Sequence, residues 1–290
     1  MAANHPLPFI HLPLPPNTHK TTLILLHGTS QTGPELADLF LSFPIPFPIS
    51  SLTDISIPNT TTLLNLLPNT KFIFPTGAPK ATTVFGGKVT NSWFDIEIFS
   101  DRTVGEEKGV EGLGESVGYL RGLVEGEVEM LVRGGIGREE ARRRVVVGGF
   151  SSGAALAVMG LLSGVWERMG GVVGLSGWLP FRRQIEGVIG GNEGQGVEER
   201  RGLVERYVRG LLGFEGEEKE VPRAGGRKVL LCHGVRDVKM RHEWGLEMKK
   251  ALEGIGMEVE WKPHLDLEHW ICGEEMLDVV KFLEGVWEEV

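Results

Sequence analysis

The segment VVVGGFSSGAALAVMGLL, residues 145–162, decides the fold. It joins a β-branched run to a helix of small residues through Gly149-Phe150-Ser151-Ser152-Gly153, a G-x-S-x-G pattern. A serine on a sharp strand-to-helix turn has a strained backbone, and neighbouring Cβ atoms would clash, so glycines flank it. The helix that follows directs its first N–H groups at the negative charge that develops when a serine attacks a carbonyl group. The segment therefore predicts that Ser151 is a nucleophile.

The same five-residue pattern occurs a second time, around Ser116 in residues 114–118. No apolar strand precedes this copy. Residues 112–133 instead repeat apolar side chains at three- and four-residue steps, which is typical of a helix with one buried face. We interpret Ser116 as a helix residue without catalytic chemistry, because the structural context and not the pattern carries the prediction.

Short apolar runs recur along the whole chain, each bounded by Gly, Pro or polar residues as buried strands are. They are TLILL (22–26), KFIFP (71–75), VVVGG (145–149), GVVGL (171–175), KVLLC (228–232) and EVEWK (258–262). Helix-like stretches lie between several of them, at 112–133, 153–168, 197–212, 241–254 and 274–288. Strand and helix in alternation predict an α/β fold with a mostly parallel central sheet and helices on both faces.

Two stretches interrupt this alternation, at about 43–68 and at 190–226. The first is rich in Pro, Thr and Ile, and is either a lid over an active site or a surface loop. The second combines a charged helix with Gly- and Glu-rich flanks and is interpreted as a charged surface excursion. We expect residues 1–290 to form one domain with these two insertions.

Composition and charge exclude several classes of protein. The chain has 39 acidic against 30 basic residues and a formal charge of −9, which argues against nucleic acid as the main partner. Its two cysteines, Cys232 and Cys272, are too few for a disulfide scaffold or a cysteine-based zinc site. The first twenty residues lack a secretory signal, and no run of about 18 apolar residues predicts a membrane span. We therefore expect a cytoplasmic protein without a transmembrane segment.

A nucleophilic serine needs a histidine base and a carboxylate that orients it, and in a doubly wound sheet both follow later strands. Asp237 comes directly after the strand at 228–232, within HGVRDV. Two histidines, His264 and His269, follow the strand at 258–262. The acids that compete with Asp237 lie in the same late loop and are Asp266 and Glu268.

The oxyanion of such a reaction needs two backbone N–H donors. One is expected from Ser152, and the other from Thr29, which follows His27-Gly28 at the end of the strand at 22–26. We interpret His27 as a structural histidine rather than as the base. Aromatic side chains near the expected site are candidates for an acyl pocket, with Trp93 and Trp178 as the predicted substrate contacts; the others are Phe94, Trp244 and Trp270.

Together these segments resemble the phospholipase/carboxylesterase family of α/β-hydrolases, which includes the acyl-protein thioesterases. The matching segments occur in family order: LILLHG…TG (23–33), FIFPTGAP (72–79), SWFDI (92–96), VVVGGFSSGAAL (145–156), GLSGWLP (174–180), LLCHGVRD (230–237), EWG (243–245) and HWICGEEMLDVVKFL (269–283). The resemblance implies the α/β-hydrolase fold, with Ser151 as nucleophile, Asp237 as orienting acid and His269, rather than His264, as base. No metal or organic cofactor is implied.

The chain departs from the family pattern near the expected site. Ser152 stands where the family usually has Gln, and the turn at residues 29–31 reads Thr-Ser-Gln where the family usually has an apolar residue, Gly and Asp. The stretch at 43–68 is also longer than its counterpart in the thioesterases. These changes affect substrate recognition and leave the reaction class as it is.

We expect a serine hydrolase that cleaves carboxylic esters or thioesters through a Ser-His-Asp triad and an acyl-enzyme. Its substrate would be a small-molecule ester, an acyl-thioester or an acylated protein. The alternatives are a peptidase or lactone hydrolase on the same fold, and a catalytically idle ligand-binding protein on a hydrolase scaffold.

Overall fold

The computed structural model describes residues 4–15, 19–46, 60–166, 168–192, 194–216 and 228–288. Seven strands form the central sheet: β1 (Phe9–His11), β2 (Thr21–Leu26), β3 (Thr70–Phe74), β4 (Val145–Phe150), β5 (Gly171–Leu175), β6 (Lys228–Gly234) and β7 (Glu258–His264). Their order across the sheet is β1-β3-β2-β4-β5-β6-β7. Only β1 is antiparallel to its neighbour, and all other pairs are parallel. The predicted mostly parallel α/β sheet is confirmed.

The helices cover both faces of this sheet. They are α1 (Gly33–Ser42), α2 (Leu63–Leu66), α3 (Val110–Arg133), α4 (Arg138–Arg143), α5 (Ser152–Leu162), α6 (Arg182–Gly190), α7 (Val197–Leu211), α8 (His242–Gly254) and α9 (Gly273–Glu288). Alternate strand residues bury against opposite faces: Leu23 and Leu25 pack with α1 and α9, whereas Ile24 and Leu26 pack with α3 and α5. Successive side chains of a strand point to opposite faces, so strands with helices on both sides are apolar throughout.

The parallel strands direct the loops that carry the candidate residues to one edge of the sheet. The carboxyl ends of β2, β4, β5, β6 and β7 lead into His27, Ser151, Ser176, Val235 and Leu265 respectively. In an open α/β sheet this edge is where ligands bind. Segments far apart in the sequence therefore meet there.

The stretch at 43–68 is described at its two ends. Ile45–Pro46 pairs with Thr60–Thr61 as a short antiparallel ribbon. Pro46 and the carbonyl of Pro44 lie so close to the start of α9 that a Cβ at Gly273 would be 2.5 Å from Pro46 Cδ. The base of this stretch therefore lies beside the loop that contains His269. Residues 47–59, the middle of the predicted lid, lie outside the described residues.

The second interruption, at 190–226, is described up to residue 216. Its charged helix is α7, which buries Val204 and Val208 in the core, while Arg201 Nε donates to Ile255 O at 3.0 Å. Residues 217–227 lie outside the described residues.

The structure shortens one predicted helix. The stretch at 153–168 was expected to be helical throughout, but α5 ends at Leu162. Gly164 follows with a φ of 66°, in the left-handed region that glycine tolerates, and the chain turns so that Trp166 packs back over Gly160. Trp166 is therefore buried from a loop and not from a helix. Among the described residues, no helix has both the length and the apolar composition needed to cross a bilayer.

Gly160 is needed because Trp166 fills the space where its side chain would stand. A Cβ at this residue would be 2.2 Å from the Trp166 ring, whereas a Cβ at Gly122, on the exposed side of α3, would meet nothing within 4 Å. Gly160→Ala should therefore lower the free energy of unfolding by about 1–3 kcal/mol through overpacking. Gly122→Ala should raise it by about 0.5–1 kcal/mol, because alanine favours the helix. Urea unfolding monitored by circular dichroism measures both; a loss in both variants would contradict this packing.

Candidate active site

Ser151 lies on a strained turn between β4 and α5. Its φ of 57° and ψ of −117° fall in a region that L-residues rarely adopt, and its N–H donates to Leu175 O at 2.9 Å. Strain of this kind persists only where the surrounding structure enforces it, and it is concentrated at functional sites. The backbone of the turn therefore has the geometry that holds a serine hydroxyl away from both the strand and the helix.

The two glycines of the motif allow this turn by letting three backbone segments touch. A Cβ at Gly149 would be 2.3 Å from the backbone carbon of Gly153, and a Cβ at Gly153 would be 2.2 Å from Leu26 O. Neither neighbour can move aside, since both are backbone atoms of the sheet or of the helix. The second G-x-S-x-G copy lies within α3, as predicted, and Ser116 there is fully buried.

Asp237 and His269 meet at the same edge of the sheet. Asp237 is almost completely buried, and its Oδ1 accepts the backbone N–H groups of Lys239 and Met240 at 3.0 and 2.7 Å. Its Oδ2 accepts the Nδ1–H of His269 at 2.7 Å. Since a carboxylate only accepts, this bond assigns the imidazole proton to Nδ1 and leaves Nε2 as the acceptor. The His269 ring lies 4.8 Å from that of Phe150, the residue before Ser151.

The competing candidates lie elsewhere. His264 lies at the end of β7 with its Nδ1 3.8 Å from Cys272 Sγ and its Nε2 3.6 Å from Asp278 Oδ2. Asp266 is highly exposed and forms an ion pair with Arg236 at 2.8 Å. Neither is in contact with the Asp237–His269 pair in the structure.

His264 also belongs to the one described group of side chains that could hold a metal ion. Ligand atoms of Cys232, His264 and Glu275 all lie within 4.8 Å of one another.

Cys232 is buried and Cys272 is half-buried, and burial raises the pKa of the Cys272 thiol to about 11. This thiol therefore stays protonated and unreactive at neutral pH.

The two expected oxyanion donors lie next to each other. Ser152 is the first residue of α5, where a backbone N–H has no partner within the helix. The hydroxyl of Thr29 donates to Ser152 Oγ at 3.1 Å, which ties the turn after β2 to the start of α5. Gly28, which precedes Thr29, lies so near the turn at Ser151 that a Cβ there would be 3.5 Å from Ser151 Cβ.

A buried chain of hydrogen bonds supports the turn that carries Thr29. His27 is fully buried, its Nε2 accepts the N–H of Gly77 at 2.9 Å, and its Nδ1–H therefore donates to Gly28 O at 2.6 Å. The indole N–H of Trp93 donates to His27 O at 2.9 Å. Ser116 Oγ in turn donates to Trp93 O at 2.6 Å. His27 thus has a structural role, and burial lowers its pKa to about 4.

The structure corrects the expected role of Trp93. Its side chain is 0% exposed, and its one polar atom donates to His27 O, so Trp93 packs beneath the turn that carries Thr29 and has no surface open to a substrate. Trp178 lies in the segment after β5 and lines a surface pocket together with Phe94, whose ring is 5.8 Å away. Trp270 is half-exposed, and Trp244 lies beneath the guanidinium groups of Arg102 and Arg241.

Two residues at this edge were missed from the sequence. Arg102 lines the same pocket as Trp178, with its Cζ 4.8 Å from the centre of that ring. His233 lies beneath Asp237, and its Nε2–H donates to Met240 O at 2.8 Å. The sequence feature connected with His233 is Gly245 in the EWG segment. The structure explains this glycine, since a Cβ there would be 2.4 Å from His233 Nδ1. The sequence feature connected with Arg102 is only that aromatic residues lie near it in the chain.

Several known proteins are similar to this chain over most of its length. The family described as Phospholipase/Carboxylesterase matches residues 53–192. Acyl-protein thioesterase 1 homolog 1 of Dictyostelium discoideum is 26% identical over 266 residues, covering 92% of this chain and 90% of that protein. Acyl-protein thioesterase 1 of Yarrowia lipolytica is 25% identical over 282 residues, covering 96% and 97%.

Solved structures show the same fold. The crystal structure of Zea mays acyl-protein thioesterase 2 superposes with a TM-score of 0.65 at 25% identity, covering 97% of this chain and 98% of that one. The fold of Arabidopsis thaliana SOBER1 is also similar, with a TM-score of 0.61 over 92% of this chain and 98% of that one. The fold is that of an α/β-hydrolase. The chain is similar to the phospholipase/carboxylesterase family over residues 53–192, and the prediction of an enzyme of the carboxylic ester or thioester hydrolase class is confirmed.

The buried His27 predicts a loss of stability in acid. The unfolded chain binds a proton on this imidazole near pH 6.5, whereas burial delays protonation in the folded protein to about pH 4. The free energy of unfolding should therefore fall as the pH drops from 6.5 towards 4, by at most about 3 kcal/mol from this residue. His27→Gln keeps a donor and an acceptor but does not titrate, so its pH dependence should be shallower. Urea unfolding at pH 7.5, 5.5 and 4.5 measures this; equal slopes in the two proteins would contradict it.

Proposed function

We propose that the protein is a serine esterase or thioesterase in which Ser151 is the nucleophile, His269 the general base and Asp237 the residue that orients the base. The observation that carries the proposal is the strained elbow at Ser151 beside the hydrogen-bonded His269–Asp237 pair. A serine, a buried carboxylate and a histidine in this chain order form the triad of α/β-hydrolases.

The proposed reaction has two stages. His269 Nε2 takes the Ser151 proton while Ser151 Oγ attacks the carbonyl carbon of an ester or thioester, and the backbone N–H groups of Thr29 and Ser152 stabilise the oxyanion. Loss of one such donor typically costs about 3–4 kcal/mol of transition-state stabilisation. His269 then protonates the leaving alcohol or thiol, and water releases the acid by the reverse path.

Asp237 is suited to its proposed role because one of its two carboxylate oxygens already accepts two hydrogen bonds. Two backbone N–H groups bind Oδ1, so the carboxylate is fixed and its free oxygen, Oδ2, receives His269 Nδ1–H. In this role Asp237 maintains the tautomer with the Nε2 lone pair directed outward and stabilises the imidazolium that forms during attack. None of these steps requires a metal or an organic cofactor.

For the substrate, we propose a small-molecule ester or acyl-thioester, with an acylated protein as the second candidate. The second candidate is supported by the names of the thioesterases to which the chain is similar. The first is supported by the departures from the family pattern at Thr29 and Ser152, which lie at the proposed site, and by the described base of the longer stretch at 43–68, which lies beside α9. A cytoplasmic location remains a prediction from the sequence.

The two serine motifs provide a matched test of the nucleophile. A fluorophosphonate probe should label the wild-type protein, and Ser151→Ala should abolish the labelling and lower kcat on p-nitrophenyl esters by at least about 10³-fold. Ser116→Ala should keep the labelling, at a stability cost of about 1 kcal/mol for its lost hydrogen bond. Gel fluorescence and ester hydrolysis measure the two effects.

The alternatives predict different results in the same assays. Absence of labelling in the folded wild-type protein would favour an idle ligand-binding protein. Labelling combined with faster hydrolysis of peptide anilides than of p-nitrophenyl esters would favour a peptidase. A lactone hydrolase would label but would cleave lactones in preference to open-chain esters.

The two late histidines provide a second matched pair. His269→Gln removes the proposed base and should lower kcat by about 10³-fold or more, because the serine then lacks a proton acceptor. His264→Gln should change kcat by less than about threefold, since His264 contacts Cys272 and Asp278 and not Asp237. Steady-state kinetics on a p-nitrophenyl ester measure both, and a larger loss in His264→Gln would assign the base to His264.

A further inference from the structure

Arg102 is a partly buried cation held by aromatic rings. Its Cζ lies 4.8 Å from the ring centres of both Phe99 and Trp178, and 5.9 Å from that of Trp244. Nη1 donates one long hydrogen bond, of 3.3 Å, to Ile98 O. Its Nε is buried without a hydrogen-bond partner among the described residues. Aromatic rings thus contact the faces of the guanidinium group, while N–H groups at its edge have no hydrogen-bond acceptor among the described residues.

The carboxylates that line the same pocket are committed to other partners. They are Asp95, Glu97 and Glu106. Asp95 accepts the backbone N–H of Thr83 at 2.7 Å, Glu106 accepts that of Phe181 at 2.7 Å, and Glu97 forms an ion pair with Lys108. Within the described part of the chain, Arg102 forms no ion pair. Burial lowers its pKa only to about 10, so the charge remains at neutral pH.

This arrangement is costly unless a ligand completes it. A charge withdrawn from water without an ionic partner destabilises a protein, and such groups are normally paired. Aromatic faces offset part of that cost by cation–π attraction. A planar guanidinium whose edge is free is the group that binds carboxylate or phosphate with two parallel hydrogen bonds.

Arg102 lies at the same edge of the sheet as the proposed triad. The neighbouring Trp178 follows β5 directly, and Gly177 beside it packs on α5 so closely that a Cβ there would be 2.6 Å from Ala154 Cβ. Ala154 is three residues after Ser151. Burial lowers the pKa of Arg102, and the negative charge of Asp237 partly opposes that shift. A substrate that extends from Ser151 across Trp178 would therefore approach the guanidinium edge.

We propose that Arg102 binds an anionic group, a carboxylate or a phosphate, that the substrate carries apart from its scissile ester or thioester. The inference rests on the proposed function for the reaction itself and adds the chemical class of the substrate. The chain between the two groups would pass through the pocket that Trp178, which is 5% exposed, lines together with Arg102.

The test compares anionic esters with neutral esters of similar size. On the acyl side, 4-nitrophenyl hydrogen suberate is compared with 4-nitrophenyl octanoate. On the leaving-group side, 4-acetoxybenzoate and 4-acetoxyphenyl phosphate are compared with methyl 4-acetoxybenzoate. The measured quantity is the ratio of kcat/KM for the anionic ester to kcat/KM for its neutral partner, and the arm with the highest ratio identifies the side and the anion.

The wild-type ratio should exceed one in at least one arm, and Arg102→Gln should lower it by about 10- to 100-fold, the usual effect of a charge-assisted hydrogen bond. Arg102→Lys should retain part of the preference, because it keeps the charge but loses the planar fork. Arg241→Gln is the matched control: this exposed arginine also lies over Trp244, with its Cζ 5.5 Å from the ring centre, and its loss should leave the ratio unchanged.

Labelling of Ser151 by a fluorophosphonate distinguishes the failures. A wild-type protein that labels but shows no anionic preference in any arm would overturn the anion site alone. The same holds if Arg102→Gln labels normally and keeps the wild-type ratio. A folded wild-type protein that neither labels nor hydrolyses any of these esters would overturn the proposed function and the anion site together.

Discussion

The contact of three backbone segments at Gly149 and Gly153 is the constraint on which the site depends. Gly153 lies against the last carbonyl of β2, and Gly149 lies against Gly153, so β2, β4 and α5 meet without an intervening side chain. This approach leaves no room for a relaxed turn, and Ser151 consequently has a positive φ. The same approach brings the turn after β2 beside the first residue of α5. Any side chain at either glycine would therefore disturb the proposed nucleophile and both proposed oxyanion donors at once.

A second layer of interactions maintains this arrangement from beneath. Ser116, Trp93 and His27 form a buried series of hydrogen bonds that ends at the turn carrying Thr29. Polar groups in such a location must all be paired, and fully paired networks make a core rigid and specific. The serine of the misleading second motif thus supports the site through Trp93, although it lies in the interior of a helix.

The parts of the structure that depend on local patterns were predictable from the sequence. Six strands came from short β-branched runs, and the locations of Asp237 and His269 followed from the rule that loops after parallel strands converge. The start of α1 was missed, although Thr32, Pro34 and Glu35 provide a capping box and an N-terminal proline. The end of α5 was not predicted because it depends on the packing of Trp166 against Gly160, and the periodicity of apolar residues carries no information about that contact.

Contacts between distant segments could not be predicted in this way. Trp93 was predicted to contact the substrate because it is an aromatic residue near the expected site, but which side of a loop faces the core depends on the packing of α3 and β2. Arg102 was not considered, since a single arginine in a polar loop carries no pattern. Its significance depends on Trp178 and Trp244, which are 76 and 142 residues further along the chain.

The hydrogen bond between the Thr29 and Ser152 hydroxyl groups joins two of the residues that depart from the family pattern. Each looks like a separate loss: an apolar residue replaced by threonine after β2, and a glutamine replaced by serine after the nucleophile. In the structure the two residues are in contact: the hydroxyl of Thr29 donates a hydrogen bond to the hydroxyl oxygen of the shorter side chain at 152. Replacing either residue alone would remove the hydrogen bond of the other hydroxyl, so the two positions are coupled and the effects of substituting them should not be additive.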